Sequence, residues 1–155
     1  MELDASLSWL ALALTPGLAS RLSARVLRKF GSPDGVFRVP LPQLESCNLP
    51  GPVVQSIAKK EPFKRAEKEL DGVRKIANCR LLNWTEPEYP QNLLQIYDPP
   101  VLLYVRGDPQ VLNLPSLSIV GTRRPTLYGT QMAQRLGRDL AARGAGDRQR
   151  HGARH

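Results

Sequence analysis

The sequence predicts a helical N-terminal domain followed by the incomplete first part of an α/β domain, a mixture of the α+β and α/β classes. Apolar residues recur at helical spacing as far as about Asn78. Short apolar runs bounded by turn residues begin at Cys79, and no apolar strand follows the last predicted helix. We therefore predict a helical domain over residues 1–78, the start of an α/β domain over 79–144, and a polar tail over 145–155.

Helical periodicity organises the first part of the chain. Thr15-Pro16-Gly17 separates the first two helices. Gly31 suits the position just past a helix end, and Ser32-Pro33 suits the cap and first residue of a short helix. The longer helical patterns cover residues 3–14, 18–30, 53–58 and 63–76.

Two features of this part are compatible with DNA contact. The turns at 15–18 and 49–52 resemble those of helix-hairpin-helix modules, but Pro50 and Pro52 remove amide donors that such turns use, which favours a structural role. Basic residues between Lys59 and Lys68 suit either a phosphate-facing stripe or, because glutamates interrupt them, a solvated helix face.

The second part begins with predicted strands at 81–84, 101–105 and 117–120. A final helix, from Leu127 to Gly144, carries leucines on one face and arginines elsewhere. The junction between the third strand and this helix is a candidate anion site, because free amides and the helix dipole attract phosphate. Gly121 allows a close backbone approach that a side chain would block, Arg123 stands at the helix entrance, and Arg124 adds a second guanidinium. The same pattern is also typical of a plain surface junction.

Composition limits the classes of function. The 155 residues carry a net charge of +8, which suits a polyanion, although a basic surface also serves solubility. No segment approaches the roughly 20 apolar residues of a membrane span. Cys47 and Cys79 lack metal-ligand spacing, so we expect a reduced cytoplasmic protein with no metal or cofactor. The sequence shows no nucleophile–base pair or carboxylate dyad, so we assign no catalytic residue and expect no enzyme activity.

Several separate motifs resemble the DNA-processing protein A (DprA, or Smf) family, and they occur in that family's order. They are Tyr89-Pro90, Ile96-Tyr97-Asp98-Pro99-Pro100, the run from Leu102 to Gly107, the run from Ile119 to Arg123, and Tyr128-Gly129. The resemblance covers Leu3 to Gly144. It implies a sterile-alpha-motif-like helical domain followed by a Rossmann-like domain.

The resemblance also implies a function. Members bind single-stranded DNA and help to load the RecA recombinase during natural transformation of competent cells, and intact members form a homodimer. Matched by motif, Arg123 would bind a backbone phosphate, with Gly121 and Thr122 shaping the turn. Arg124 is the weaker candidate. Tyr128 would either stack on a base or pack beside the turn.

The tail departs from the family pattern. Residues 145–155 are polar, basic and aperiodic, which is typical of disorder, where the family places an apolar strand. A frameshift would explain this, because back-translating the tail and reading one nucleotide later can give an apolar run followed by Ser-Gly-x-Ala-Arg-Gly. We therefore expect a truncated member with impaired function. The alternatives are a nonfunctional remnant or a phosphoribohydrolase-like enzyme that binds nucleotides, although the glycine-rich turn such an enzyme needs is missing.

Overall fold

The computed structural model describes the backbone of residues 5–152 and the side chains of residues 5–143. The described chain is mixed, mostly helical, with one small antiparallel sheet. The described chain divides after Leu114 into two compact units.

Helices dominate the first unit, as the periodicity predicted. Their bounds are α1 Ala5–Ala13, α2 Ser20–Phe30, α3 Pro33–Arg38, α4 Leu41–Glu45, α5 Gly51–Ala58 and α6 Glu61–Lys75. The sequence patterns had not indicated α4, a short helix that buries Leu44.

The predicted α2–α3 junction is confirmed in detail. Gly31 ends α2 with a φ of 80°, and its N–H donates to the carbonyl of Leu27. Glycine adopts this left-handed conformation without the steric cost of a Cβ. Ser32 then caps α3, because its hydroxyl accepts from the N–H of Gly35 at 3.1 Å. A Cβ at Gly35 would lie 2.4 Å from the carbonyl oxygen of Phe30, so only glycine fits this turn.

The helices enclose one apolar core, and α1 packs along α6. The aromatic rings of Phe37 and Phe63 meet edge to face, with their centroids 4.7 Å apart. Other side chains with almost no exposure include Leu10, Leu12, Val26, Val36, Leu44, Val53 and Ile57. Burial of such side chains is the main favourable contribution to the stability of this unit.

Two of the three predicted strands form and pair with each other. They are β1 Cys79–Asn83 and β2 Leu102–Arg106, antiparallel, with Cys79 opposite Arg106 and Asn83 opposite Leu102. Leu102 belongs to the helical core, whereas Leu82 and Val105 pack around the buried ring of Tyr89 in a second cluster. Between the strands lies α7 Gln91–Leu94, and after β2 comes a 3₁₀ turn, Pro109–Asn113.

The sheet therefore belongs to the same compact unit as the helices. The boundary that we predicted between residues 78 and 79 stays a prediction.

In the second unit, the predicted strand at 117–120 is wrong. These residues form no strand, and Leu117 and Val120 are 76% and 90% exposed. The physical reason is that a strand requires a hydrogen-bonded neighbour, and among the described residues no segment pairs with this one. Its apolar composition was the basis of the prediction, but composition alone does not provide a partner.

The last helix, α8, covers Leu127–Gly152. Its predicted beginning is confirmed, whereas its predicted end at Gly144 is wrong because the helical backbone continues. Of the tail that we predicted to be disordered, residues 145–152 have helical backbone, and residues 153–155 lie outside the described residues.

Candidate nucleic-acid interface

The four predicted site residues lie together in an exposed, irregular segment before α8. Gly121, Thr122, Arg123 and Arg124 are consecutive and all exposed. The Thr122 hydroxyl accepts a hydrogen bond from the N–H of Arg124 at 3.3 Å, which turns the backbone at this point. Arg123 lies four residues before the first residue of α8, so it precedes the helix entrance where we had placed it.

Thr126 is the residue that caps α8. Its hydroxyl accepts from the N–H of Gly129 at 3.2 Å, and its carbonyl accepts from the N–H of Thr130 at 3.0 Å. Within the described part of the chain, the amides of Leu127 and Tyr128 have no acceptor. Both can therefore donate to an anion at the positive end of the helix dipole.

The two guanidiniums of this segment are not neutralised by carboxylates. Among residues 5–143, neither Arg123 nor Arg124 lies within 4.0 Å of a carboxylate oxygen, whereas Arg135 on α8 pairs with Asp139 at 3.8 Å. The positive charge before α8 is thus available to an anionic ligand. Because the segment is exposed, salt screens its attraction strongly.

Two details differ from the sequence expectation. A Cβ placed on Gly121 would meet no heavy atom within 4 Å, so no backbone makes the close approach that we expected this glycine to allow. The cause is the same as for the missing strand, since no strand of the described residues pairs with this segment. Tyr128 is 71% exposed and does not pack beside the turn, so its ring is open to stacking.

Motif residues from Tyr89 to Asn113 have structural roles instead. The hydroxyl of the fully buried Tyr89 donates to the carbonyl of Pro100 at 2.6 Å. The Asn113 side chain accepts from the N–H of Gln91 at 3.1 Å and donates to the carbonyl of Glu88 at 3.0 Å. These bonds fix the long connection between β1 and β2.

A further contact was missed by the sequence patterns. The Arg21 guanidinium lies 4.6 Å from the ring centroid of Tyr97 and donates to its hydroxyl. The carboxylate of Asp98 accepts from the backbone N–H of Arg21 at 3.2 Å, which satisfies a free donor in the first turn of α2. These partners are 76 and 77 residues apart, so no local pattern could have revealed them.

Other chemistry in the described residues is sparse. No group of three potential metal ligands occurs between residues 5 and 143. An open cleft of about 400 Å³ is lined by Asn78, Cys79, Arg80, Gly107 and Asp108. Its one guanidinium, that of Arg80, is paired with Glu86 at 3.5 Å and Glu88 at 3.3 Å, so this cleft attracts anions weakly.

Burial raises the pKa of Tyr89 above its ordinary value of 10.0. Burial likewise raises the pKa of Tyr104, where nearby Glu69 acts in the same direction and Arg65 opposes it. No helix among the described residues is long and apolar enough to cross a membrane.

Comparison with known proteins finds one family that matches the second part of the chain. The model of the DNA recombination-mediator protein A family matches residues 80–146, a segment that contains all four predicted site residues. The DNA processing protein DprA of Bacillus subtilis is 41% identical over 58 residues, which are 37% of this chain and 20% of the relative. The protein of the same name from Streptococcus pneumoniae is 35% identical over 48 residues, which are 31% of this chain and 17% of the relative.

The aligned part thus spans a fifth or less of the length of these relatives. No solved structure matches the chain. A family model and two relatives of the same name thus agree over the segment that carries the motifs, so residues 80–146 match the DNA recombination-mediator protein A (DprA) family, and the match is partial.

Proposed function

We propose that this protein binds single-stranded DNA and presents it to the RecA recombinase during natural transformation. The observation that carries the proposal is Arg123, an exposed cation with no carboxylate partner among the described residues, inside the segment that matches the family. Its guanidinium donates two parallel hydrogen bonds to a backbone phosphate. Such a contact provides affinity without sequence preference.

The neighbouring residues support this contact in different ways. Thr122 turns the backbone through its hydrogen bond with the N–H of Arg124. Arg124 adds positive charge, and Gly121 leaves space in which the backbone of a DNA strand can approach. The amides of Leu127 and Tyr128 provide further donors for the same phosphate.

The proposed architecture follows the family. Residues 1–78 form a sterile-alpha-motif-like domain, and residues 79–144 begin a Rossmann-like domain. Intact members of the family form a homodimer. The protein acts in the cytoplasm by binding and not by catalysis, so it uses no cofactor. Relatives named DNA processing proteins support this role.

Replacing Arg123 by alanine tests the proposal. At the equivalent position of a full-length relative, we expect the loss to cost about 1.5–3 kcal/mol of binding free energy, the range for a hydrogen bond to a charged group. In this chain the effect is smaller, because Arg123 is exposed and salt screens it. The negative slope of log affinity against log salt concentration should become shallower by about 0.7, since one fewer counterion is released from the single strand.

Fluorescence anisotropy of labelled oligothymidine over a salt series measures both quantities. Arg135→Ala is the matched control, because it removes the same charge from a guanidinium already paired with Asp139. An Arg123→Ala protein with the affinity and salt slope of the control would contradict the proposed phosphate contact.

A further inference from the structure

One helix of the first unit carries a concentrated positive charge. The sequence of α2 contains Arg21, Arg25, Arg28 and Lys29 and no acidic residue, and all four cations are exposed. At about 100° per residue, the four side chains fall within roughly a third of the helix circumference. They form one stripe, about 12 Å long from Arg21 to Lys29.

The side chains of these cations donate to neutral acceptors, whereas the Asp98 carboxylate accepts from the backbone N–H of Arg21 at 3.2 Å. Arg25 donates to the carbonyl of Cys47 at 3.4 Å, and Lys29 donates to the hydroxyl of Ser46 at 2.8 Å. Arg28 donates to the carbonyl of Ala24 at 3.4 Å, and Arg21 donates to the hydroxyl of Tyr97. Neutral acceptors orient the cations without cancelling their charge. Less side-chain entropy is therefore lost when an anion binds.

Several arginines elsewhere in the described chain are paired with carboxylates. Arg38, Arg74, Arg80 and Arg135 each lie within 4.0 Å of a carboxylate oxygen. On α6 the basic residues alternate with glutamates, as in an ordinary solvated face. Among the described residues, the α2 stripe lacks such side-chain pairs, a feature that it shares with Arg123 and Arg124 before α8.

An exposed aromatic ring adjoins the stripe. Tyr97 is 81% exposed, and the guanidinium of Arg21 lies over its ring. Planar guanidinium and phenol groups of this kind stack on unpaired bases, while nearby cations bind the phosphates. The combination fits a strand whose bases are accessible.

We propose that the α2 stripe, together with Tyr97, is a second binding surface for single-stranded nucleic acid. An anionic membrane is the other partner that a basic amphipathic helix often has. Here the apolar face of α2 is already used, because Val26 has no exposure and Leu22, Leu27 and Phe30 pack against the core. The helix cannot insert that face into lipid. The choice of DNA over RNA rests on the proposed function, whereas the surface itself does not depend on Arg123.

The test compares two double variants of the whole chain that lose equal charge. Arg25→Gln with Arg28→Gln changes the stripe, and Lys64→Gln with Lys68→Gln changes the mixed face of α6. Exposed ion pairs are weak, so we expect the loss of two of them to weaken the binding of oligothymidine by the first variant about threefold to thirtyfold. For this variant the negative slope of log affinity against log salt concentration should become shallower by about 1.4, because two phosphate contacts are lost. The α6 variant should stay close to the parent protein.

Tyr97→Ala tests the stacking contact. It should weaken binding to oligothymidine by at least about fivefold, but it should leave binding to an abasic chain of equal length unchanged. Tyr97→Phe keeps the ring and loses only the hydroxyl that accepts from Arg21, so it should regain most of the oligothymidine affinity that Tyr97→Ala loses. Circular dichroism of each variant verifies that α2 is intact.

Three outcomes would overturn the inference. The α2 and α6 variants could lose affinity equally, which indicates unspecific charge. The α2 variant could lose binding to anionic phosphatidylserine vesicles but not to oligothymidine, which indicates a membrane. Tyr97→Ala could weaken the binding of oligothymidine and of the abasic chain equally, which would show that Tyr97 makes no contact with a base. Arg123→Ala distinguishes this inference from the proposed function, since each surface is changed without altering the other.

Discussion

Deleting one hydroxyl should reveal how the connection between the two strands is held. Tyr89 is fully buried, its ring packs against Leu82 and Val105, and its hydroxyl donates to the carbonyl of Pro100 at 2.6 Å. Tyr89→Phe preserves the ring and removes only the hydrogen bond. Any change in stability therefore measures the bond that connects the Tyr89-Pro90 motif to the Pro99-Pro100 motif.

The magnitude follows from the burial of the two partners. A neutral hydrogen bond contributes about 0.5–1.5 kcal/mol, and a buried carbonyl left without a donor costs about 1–3 kcal/mol. Pro100 is half-buried, so water can reach its carbonyl once the hydroxyl is gone. We therefore expect a loss of about 1 kcal/mol in the free energy of unfolding. That corresponds to about 3–5 °C in Tm for a unit of this size.

Urea unfolding followed by tryptophan fluorescence is the assay. Trp9 on α1 and Trp84 just after β1 lie with ring centroids 6.5 Å apart, so they report on the packing of helix against sheet. The m-value should not change, because the surface exposed on unfolding is the same. Tyr97→Phe is the control, since its hydroxyl accepts only an exposed hydrogen bond from Arg21, which water can replace. Equal losses in the two variants would refute the reasoning, and so would a loss above about 3 kcal/mol, which indicates a displaced ring.

Two further predictions concern glycines and pH. Gly31→Ala should destabilise the protein by about 1–2 kcal/mol, because φ is 80° there. Gly72→Ala within α6, where an added Cβ meets nothing within 4 Å, should instead stabilise the protein by about 0.5–1 kcal/mol. Thermal melts compare the two variants. Changes in stability of the same sign would contradict the argument. Because burial raises the pKa of Tyr89, its contribution to stability is complete below about pH 10 and is lost as the pH rises through the folded pKa. The urea midpoint should therefore fall less steeply between pH 9 and 11 for Tyr89→Phe than for the parent protein. The variant keeps some pH dependence because burial also raises the pKa of Tyr104. Parallel curves for the two proteins would count against this role of Tyr89.

Features set by neighbouring residues were predictable from the sequence. The end of α2 at Gly31 and the cap at Ser32 depend on backbone conformation and a hydrogen bond spanning three residues, so the residue types alone indicate them. The same holds for the beginning of α8. By contrast, α4 contains a proline and no helical repeat, and its one buried side chain, Leu44, is stabilised by distant core residues.

The predicted strand at 117–120 shows the limit of apolar pattern as a signal. Its residues have the composition of a buried strand, but a strand forms only beside a partner, and sequence composition carries no information about one. The candidate site was affected in the same way. Arg123 was identified by motif, whereas its distance from α8 and the open space around Gly121 depend on whether that strand pairs.

Hydrogen bonds within the protein divide the family motifs of this chain into two kinds with different roles. Tyr89 and Pro100 are joined by a hydrogen bond under the sheet, and Asp98 accepts from the first turn of α2, so these residues stabilise the scaffold. Arg123 and Arg124 make no such contact with a side-chain carboxylate among the described residues, and their exposure leaves them available to a ligand. Substituting the first kind should therefore reduce stability and substituting the second should reduce DNA affinity. Asp98 connects the two kinds, because its carboxylate supports the helix on which we place the second DNA-binding surface. Its removal should reduce stability, and it should reduce DNA affinity only as far as it disturbs α2.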